Sequence, residues 1–419
     1  MKVWDESSCS LRHAVVPAIH PSKLKDLDSI PTVLEVYSKV YTTMQMLGSS
    51  SFVLKKNLEN PSQQPSPMDP SLKFPYFTCV TDARSLCIYH ATKLVLVIHE
   101  LYFIVRFVNL FLCDQICPDR RVLLLAISCY IWALIMVIGI YFLCHLKRVE
   151  IYEFFNKLNR LDHIVFGKDV NGRREFIGRH ERVYNRVKYY IPLMILTSMA
   201  MIGMNHANHP HFYAHLTSLV FTTEETFFTN WKTTFVARCF NWCLEALTKE
   251  SSKLILKTDV KVKVRLVEDT VGKFEHIRGL MNEYNGIFKG LFLFFKGILI
   301  LQITIMAYIP VKRLYVVPFS SIMIFFALTL HYVAQIVMVL CEAGRVFHAS
   351  RMFQDNWMRN LQKSGLCVTD TGLNLKMLLE TCTPFGFDCG GCYVVDTRTV
   401  LTFFSIITSY LIVLLQLQI

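Results

Sequence analysis

Apolar runs long enough to cross a membrane recur along the chain from residue 88 onward. An α-helix needs about 20 apolar residues to span the hydrocarbon core of a bilayer. Runs of this kind occupy residues 88–112, 121–146, 189–204, 222–247, 286–310, 313–341 and 397–417. The third run is short, and charged residues such as Glu225 and Arg238 interrupt the fourth. The pattern predicts an all-α, polytopic membrane protein with seven transmembrane helices.

The connections between these runs differ in their content of lysine and arginine. Eleven, nine and five such residues lie in three of them, at 147–188, 249–289 and 342–378. The other three contain two, none and two, at 113–121, 205–221 and 311–314. Because basic loops stay on the cytosolic side, the rich connections and the N-terminus are predicted to be cytosolic. Seven crossings then leave the C-terminus extracellular, the opposite orientation to a metabotropic seven-helix receptor.

Composition also favours a membrane protein over a soluble one. Hydrophobic residues make up 53% of the chain and charged residues only 18%, which is outside the usual range for soluble domains. The net charge of +12 is concentrated in the loops between apolar runs, so no nucleic-acid partner is expected. The first 30 residues contain no apolar core segment, and no cleaved signal peptide is expected.

Four regions follow from these patterns. Residues 1–87 are predicted to be a cytosolic N-terminal region with a Pro-rich linker, and residues 88–341 to hold six transmembrane helices with long basic connections. Residues 342–395 form a cytosolic, anchor-like helical region, and residues 396–419 form the terminal helix. The cytosolic connections carry apolar residues at helical spacing, which predicts helices that pack on each other below the membrane. Amphipathic helices lying on an anionic leaflet are the alternative.

The polar residues of the last apolar run fall on one side of its helix. Starting from Arg398, steps of four, three, four, three and four lead to Thr402, Ser405, Ser409, Ile412 and Gln416. These steps define a single helical face that is apolar only at Ile412. Such a face suits contact with water or partner helices better than contact with lipid. The alternative is that small hydroxyl residues pack against neighbouring helices and bond their own backbone.

Two motifs near the C-terminus resemble those of insect gustatory receptors. Ser409-Tyr410, five apolar residues and Gln416-Leu417 resemble the Thr-Tyr-(five apolar)-Gln-Phe ending of that family. The run at 387–396 is similar to its Phe-x-Ala-x-Gly-x-Phe-x-Leu-Asp/Asn motif. The chain departs from the pattern at Ser409, where the family usually has Thr, and at Leu417, where it usually has Phe.

This resemblance implies a function as well as a fold. It implies a tastant-gated, non-selective cation channel in the plasma membrane of sensory neurons, built as a homotetramer with four terminal helices around one pore. The implied partners are a small-molecule tastant, permeating cations, membrane lipid and related receptors able to co-assemble with it. On this resemblance the pore and gate residues are Thr402, Ser405, Ser409, Tyr410, Ile412, Gln416 and Leu417.

A pocket for a ligand that arrives from outside is expected in the outer halves of the helices. Aromatic walls with a few polar groups are usual for such pockets. Counting depth along each run selects Asn109, Trp132, Glu225, Trp231, Gln302, Tyr308 and Ser321. Any one of these residues alone more often serves helix packing. The aromatic and amide character of the set favours a bitter, plant-derived compound over a sugar, which needs more hydrogen-bonding partners.

The sequence offers little for catalysis or metal binding. No GxSxG, HExxH or GxxxxGK[ST] pattern occurs, so neither an enzyme nor a cofactor is predicted. Four histidines between residues 206 and 215 read as a polar loop, and Cys389-Gly-Gly-Cys392 lacks a second pair of ligands, so no metal site is expected. Cys113 and Cys117 flank an outer loop and could form a disulfide.

Ionisable residues inside the first apolar run keep a second class of function open. His99 and Glu100 lie near its middle and Arg106 nearer its outer end. Charged groups at membrane depth are costly, so they mark either a functional site or a charge pair. A membrane carrier using these groups is the alternative to a channel, although the internal repeats and broken helices of carriers are not evident in the sequence.

Overall fold

The protein is described by a computed structural model that covers residues 31–37, 52–55, 76–79, 83–112, 120–167, 169–186, 189, 212–312, 319–366 and 369–416. Within these residues the chain is mostly helical. Four of the described helices contain stretches long and apolar enough to cross a membrane: Leu86–Arg106, Val260–Ile305, Thr329–Lys363 and Thr399–Gln416. They match the first, fifth, sixth and last apolar runs of the sequence. The third run, at 189–204, lies outside the described residues except for Tyr189.

The described elements alternate long helices with short connecting pieces. In chain order they are α1 (Val33–Val36), β1 (Phe52–Lys55), β2 (Tyr76–Cys79), α2 (Ala83–Leu112), α3 (Arg120–Leu146), α4 (Arg148–Asn159), α5 (Leu161–Phe166), α6 (170–186), α7 (Phe212–Glu250), α8 (Lys253–Leu256), α9 (Val260–Lys312), α10 (Phe319–Lys363), α11 (Asp370–Glu380), β3 (Asp388–Cys389), β4 (Tyr393–Val394) and α12 (Thr399–Gln416). Strands β1 and β2 pair antiparallel, as do β3 and β4. These small pairs depart from the all-α expectation, because strands of two to four residues are too short to produce a readable periodicity.

Three helices are much longer than a membrane is thick. α9 has 53 residues, α10 has 45 and α7 has 39. At a rise of 1.5 Å per residue, α9 extends for about 80 Å. The apolar runs and the basic segments beside them therefore belong to the same continuous helices. This continuity favours helices that extend below the membrane over separate helices lying on its surface.

The long helices pack side by side with defined directions. Asn230 of α7 bonds Gln335 of α10, and further along the indole of Trp357 donates to the carbonyl of Leu247 at 3.0 Å. Residue numbers rise together on both helices, so α7 and α10 run parallel. α9 runs antiparallel to α10, because Lys263 donates to the carbonyl of Ser364 while the ring of Phe274 stacks on that of Phe353. This arrangement agrees with the predicted order, in which the fourth and sixth runs cross in the same direction.

The core lies between α7, α9 and α10. Phe240, Phe274, Phe353 and Trp357 are fully buried there. Burial of one such side chain stabilises the fold by roughly 1.5–3 kcal/mol. The apolar residues predicted at helical spacing in the basic connections thus form this core.

Helix α2 has apolar residues on its outside as well. Leu96 and Phe103 are buried, whereas Leu94, Ile98 and Val105 are more than half exposed. A helix that is hydrophobic on both its packed and its open face is typical of a membrane span. The open face is the surface available to lipid.

The N-terminal segment packs on the bundle through Val33 and Tyr37, which are both buried in the core. Thr32 and Glu35 form a reciprocal capping box that starts α1, and Tyr37 follows with 1% of its surface exposed. The Tyr37 hydroxyl donates to the backbone carbonyl of His180 at 3.1 Å. Its ring contacts Trp231 edge-on, with 5.1 Å between the ring centroids. This segment therefore joins α6 to the lower half of α7.

Candidate functional site

The terminal helix α12 begins at a side-chain cap. A carboxylate oxygen of Asp396 accepts hydrogen bonds from the backbone amide of Thr399 at 2.9 Å and from its hydroxyl at 3.0 Å. In return the Thr399 hydroxyl oxygen accepts from the amide of Asp396 at 3.1 Å. A cap of this kind stabilises a helix start by about 1 kcal/mol. The cap fixes the residue at which α12 starts.

The two faces of α12 have different surroundings. Phe403 and Ile407 are buried, on the side where α12 packs against α9. The face predicted from the sequence is exposed in the single chain at all five of its positions: Thr402, Ser405, Ser409, Ile412 and Gln416. Tyr410 is also exposed, and Leu417 lies outside the described residues. The apolar residues Leu401, Phe404, Ile406 and Val413 are exposed as well, so a single chain leaves most of the helix surface uncovered, the polar face included.

The hydroxyls of this open face are already hydrogen-bonded. The Ser409 hydroxyl donates to the Ser405 carbonyl at 2.8 Å, and the Thr402 hydroxyl lies 3.5 Å from the Arg398 carbonyl. Bonding to the helix backbone, which the sequence left as the alternative explanation of these residues, therefore occurs. It does not remove their exposure, because each oxygen retains a lone pair directed away from the helix.

A glycine of α10 allows the base of α12 to approach closely. A methyl group added to Gly344 would lie 2.7 Å from the carbonyl carbon of Asp396 and 2.8 Å from the amide nitrogen of Thr397. Both distances are shorter than real side chains tolerate. Only glycine therefore permits the first turn of α12 to rest on the backbone of α10.

The β3–β4 hairpin before α12 is bound to α9. Asn285 donates to the carbonyl of Gly386 and accepts from the amide of Asp388, each at 3.0 Å. At the tip Gly390 lies directly on the side chain of Leu293, and its φ of 65° suits glycine. The hairpin therefore connects α9 to the start of α12, so a movement of α9 would also move the start of α12.

An ion pair links α7 and α10 close to Gly344 in the chain. Glu342 is 9% exposed at its side chain and accepts from Arg238 at 3.0 Å and from Arg345 at 3.2 Å. Arg238 was one of the charges that interrupted the fourth apolar run. Its partner explains how a charge is accommodated there, since a buried carboxylate needs a counter-charge.

A buried polar chain lies further along the same two helices. Asn230 donates to the side-chain oxygen of Gln335 at 2.8 Å, and the amide nitrogen of Gln335 is 2.5 Å from His331 Nε2. Asn230 and Gln335 are each 2% exposed. Sequence reasoning missed this chain, although amide residues at membrane depth on two runs were a signal for it.

The seven candidate pocket residues do not form one described cluster. Asn109 is exposed on α2, and the half-open Trp132 of α3 contacts Phe294 of α9 with ring centroids 5.7 Å apart. Gln302 and Tyr308 are buried on α9. For Glu225 in α7 and Ser321 in α10 the helix is described but the side chain is not. The contacts described for these residues therefore do not assemble a pocket.

Trp231 is buried among aromatic residues and contacts the N-terminal segment. Its ring contacts Tyr37 and stacks on Phe235. Two residues further, the Thr233 hydroxyl is 3.1 Å from that of Tyr284. α7 begins at Phe212, ten residues before the predicted start of the fourth run, so the depth of Trp231 along the helix differs from the count made from the sequence.

In the first run Glu100 is buried and His99 is partly buried against the ring of Phe103. His99 Nδ1 is 3.7 Å from a carboxylate oxygen of Glu100, and the second Glu100 oxygen has no hydrogen-bond partner. No cluster of three metal-ligating side chains occurs in the part of the chain that the structure describes. The histidines at 206, 209 and 211 and both cysteines of the predicted outer disulfide, Cys113 and Cys117, lie outside it.

The long apolar helices, four of which are long and apolar enough to cross a membrane, indicate a multi-pass membrane protein. The sequence model of the 7tm chemosensory receptor family matches residues 127–419, more than half of the chain. The chain belongs to this family, which is a family of receptors and not of enzymes.

Solved structures of insect receptors share the fold. The olfactory receptor OR5 from Machilis hrabei matches with a TM-score of 0.62 at 10% identity, covering 92% of this chain and all of that one. The same receptor in complex with eugenol matches with a TM-score of 0.55 at 11% identity, covering 92% and 99%. At such identities the likeness concerns the fold. A comparison with curated protein sequences gives no match.

Proposed function

We propose that the chain is a gustatory receptor that works as a tastant-gated, non-selective cation channel in the plasma membrane of sensory neurons. In this proposal four copies assemble and their α12 helices line one central pore. The observation that carries the proposal is that Thr402, Ser405, Ser409 and Gln416 share one exposed face of α12, opposite the buried Phe403 and Ile407.

A polar face on a terminal helix needs water or partner helices. Groups that lack such partners in hydrocarbon raise the free energy of a membrane helix. Four helices that direct the faces at Thr402, Ser405 and Ser409 toward one axis supply a hydroxyl-lined path for cations. The packed residues Phe403 and Ile407 then hold each helix to its own subunit through α9.

The gate is proposed at the outer end of this path. Ile412 precedes Gln416, and Leu417 follows it. Apolar rings close a pore by excluding water. Tyr410 lies two residues before Ile412 in the same C-terminal run. Ligand binding opens the gate to the extent that the ligand prefers the open arrangement.

The ligand is proposed to be a bitter or plant-derived small molecule. The related fold of OR5 was solved with eugenol, a small aromatic compound. In this chain Asn109, Trp132, Gln302 and Tyr308, together with Glu225 and Ser321, remain the candidates for an outer pocket. Trp231 stays in this set as a residue that also contacts the N-terminal segment.

Recording from purified protein in planar bilayers tests the proposal. Unitary currents that increase with a bitter ligand are expected. Ligand-dependent flux without unitary currents would instead identify a carrier. Activity only in the presence of a G protein would identify a metabotropic receptor.

Cysteine accessibility tests the pore-lining face directly. Cysteines at Ser405, Ser409 and Gln416 are expected to react with aqueous thiol reagents and reduce the current. The matched controls are cysteines at Phe403, which is buried, and at Leu411, which is half-buried; these are expected to leave the current unchanged. Equal reactivity around the helix would contradict the assignment.

A further inference from the structure

Two cysteines flank the glycine turn at the tip of the β3–β4 hairpin. Cys389 pairs with Tyr393 in the strand register, while the amide of Cys392 donates to the carbonyl of Cys389 at 3.1 Å. Residues three apart in a hydrogen-bonded turn have Cα atoms within about 7 Å, which is also the upper limit for a disulfide. Gly390 and Gly391, both with positive φ, form the turn between them.

The two thiols differ in access to solvent. Cys392 is exposed and Cys389 is fully buried, and both are free. The Tyr393 hydroxyl is hydrogen-bonded to the Cys389 sulfur, and burial raises the pKa of the Cys389 thiol. Cys392 is therefore the thiol that an oxidant reaches first. Cys389 is the thiol that can then form a disulfide with the oxidised Cys392.

Metal binding does not suit this pair. A structural zinc site requires four ligands, and no group of three or more His, Cys, Asp or Glu side chains occurs in the residues that the structure describes. Two adjacent thiols in a segment assigned to the cytosol instead match the pattern of a redox-sensitive pair.

We propose that Cys389 and Cys392 are a peroxide-responsive modification site that closes to a disulfide and restrains the base of α12. The proposal adds a chemical input to the receptor that is separate from its tastant. Hydrogen peroxide or an organic hydroperoxide is the oxidant.

The chemistry balances in two steps. The Cys392 thiolate attacks a peroxide oxygen, which breaks the O–O bond, forms a sulfenic acid and releases hydroxide. The Cys389 sulfur then attacks the Cys392 sulfur, the S–O bond breaks, and water leaves with the Cys389 proton. Overall, two thiols and one hydrogen peroxide give one disulfide and two waters, and a dithiol reductant reverses the change.

The hairpin offers a route from this bond to the terminal helix. Gly390 lies on Leu293, so the tip cannot move toward α9. On the other strand the amide of Val395 bonds the carbonyl of Phe387 at 2.9 Å, directly before the Asp396 cap of α12. Closing the turn with a disulfide fixes the hairpin in one arrangement and restrains the start of α12. Opening by ligand must then work against it.

Mass spectrometry of the purified protein tests the modification without reference to channel activity. After brief peroxide treatment and alkylation of remaining thiols, the peptide containing both cysteines is expected to lose two hydrogen atoms and take up no alkylating reagent. Dithiothreitol should restore both thiols. A Cys389→Ser chain should retain Cys392 as sulfenic or overoxidised thiol without the disulfide. An unmodified or only overoxidised pair in the native chain would overturn the proposal.

Current recordings test the consequence and rest on the proposed channel function. In the native chain peroxide is expected to raise the half-activating ligand concentration by about fivefold or more, the lower range of allosteric coupling, and dithiothreitol should reverse the shift. Cys392→Ser should abolish the response. Cys87→Ser, which removes another exposed thiol, should retain it.

These outcomes separate the two proposals. A disulfide in a chain that carries no current would refute the channel and leave the redox site intact. A current shift that persists in Cys392→Ser would overturn the redox site and leave the channel intact. Disulfide formation with no shift in ligand response would refute the link to α12.

Discussion

At the scale of single residues, Gly344 decides how closely α12 can approach α10. The backbone of Asp396 and Thr397 occupies the space in which a side chain at position 344 would lie. Backbone atoms at such a distance cannot rotate away as a side-chain end can. The contact is therefore sensitive to a single methyl group.

Gly344→Ala is expected to destabilise the protein by about 1–3 kcal/mol, the usual cost of overpacking, and to disturb gating. Thermal unfolding in detergent measures the first effect and whole-cell recording the second. Gly279→Ala is the matched control, because an added methyl there meets no atom within 4 Å and alanine favours a helix. Equal stability of the two variants would contradict the steric role of Gly344.

His180 gives the attachment of the N-terminal segment a dependence on pH. Full burial lowers its pKa to about 3 from the usual 6.5, and the charge of Arg238 adds to the effect. The folded protein thus holds this histidine neutral, while the unfolded chain takes up a proton below about pH 6.5. Stability is complete above that pH and is lost as the pH falls toward 3.

Acidification from pH 7.5 to 5 is expected to reduce stability through His180 by about 2 kcal/mol. Thermal unfolding of purified protein over this range measures the loss. A His180→Gln chain is expected to be less stable at pH 7.5, since it loses the packing around Tyr37, but to depend less on pH. An unchanged pH profile in that variant would show that other groups are responsible.

Some of these residues could be predicted from the sequence and others could not. The polar face of α12 follows from local spacing, and the structure leaves that face open. The role of Gly344 depends on Asp396, some fifty positions away, and no local pattern reports such a contact. Tyr37 is a similar case, because Tyr37 and its partners His180 and Trp231 come from three separate segments.

At the scale of elements, α9 organises the region around the terminal helix. It packs against α3, α10 and α12, and the hairpin is bound to it through Asn285. The apolar runs predicted most of the helices correctly, because about 20 apolar residues leave few other structures possible in a membrane. The lengths of α7 and α9 were not predicted, since their lower halves are charged outside and apolar inside, as in a soluble protein.

Asn285→Ala is expected to loosen the hairpin from α9 by removing two hydrogen bonds, at about 1 kcal/mol each. Hydrogen exchange measured by mass spectrometry should rise in residues 385–395 while α9 itself stays protected. Asn156→Ala on the nearby helix α4 serves as a polar-to-alanine comparison outside the hairpin. Unchanged exchange in 385–395 would show that the contact with Leu293 alone holds the hairpin.

At the scale of the whole molecule, orientation follows from helix direction and charge together. α7 and α10 run parallel, and the basic connections lie at the same ends of the long helices. The positive-inside tendency assigns that end to the cytosol. A tag at Ile419 is therefore expected to bind antibody on intact cells, and a tag at Met1 only after permeabilisation. An N-terminal tag accessible on intact cells would refute the topology.

In the proposed tetramer, one chain supplies a quarter of the pore wall. Four Gln416 amides near one axis can donate and accept hydrogen bonds among themselves or to water. In Gln416→Ala those bonds are lost and the constriction widens. At about 1 kcal/mol per bond, four subunits shift the balance between closed and open states by several kcal/mol, roughly a hundredfold or more.

Gln416→Ala is therefore expected to leak current without ligand while ligand binding is largely preserved. Whole-cell recording without ligand, with surface expression measured in parallel, checks the leak. Ser409→Ala is a useful comparison, because the Ser409 hydroxyl already donates to its own helix and its loss should affect closure less. If Gln416 only anchors the helix end at the membrane surface, the variant closes normally and is merely expressed at a lower level. A well-expressed Gln416→Ala channel that is silent at rest and activates normally would exclude Gln416 from the gate.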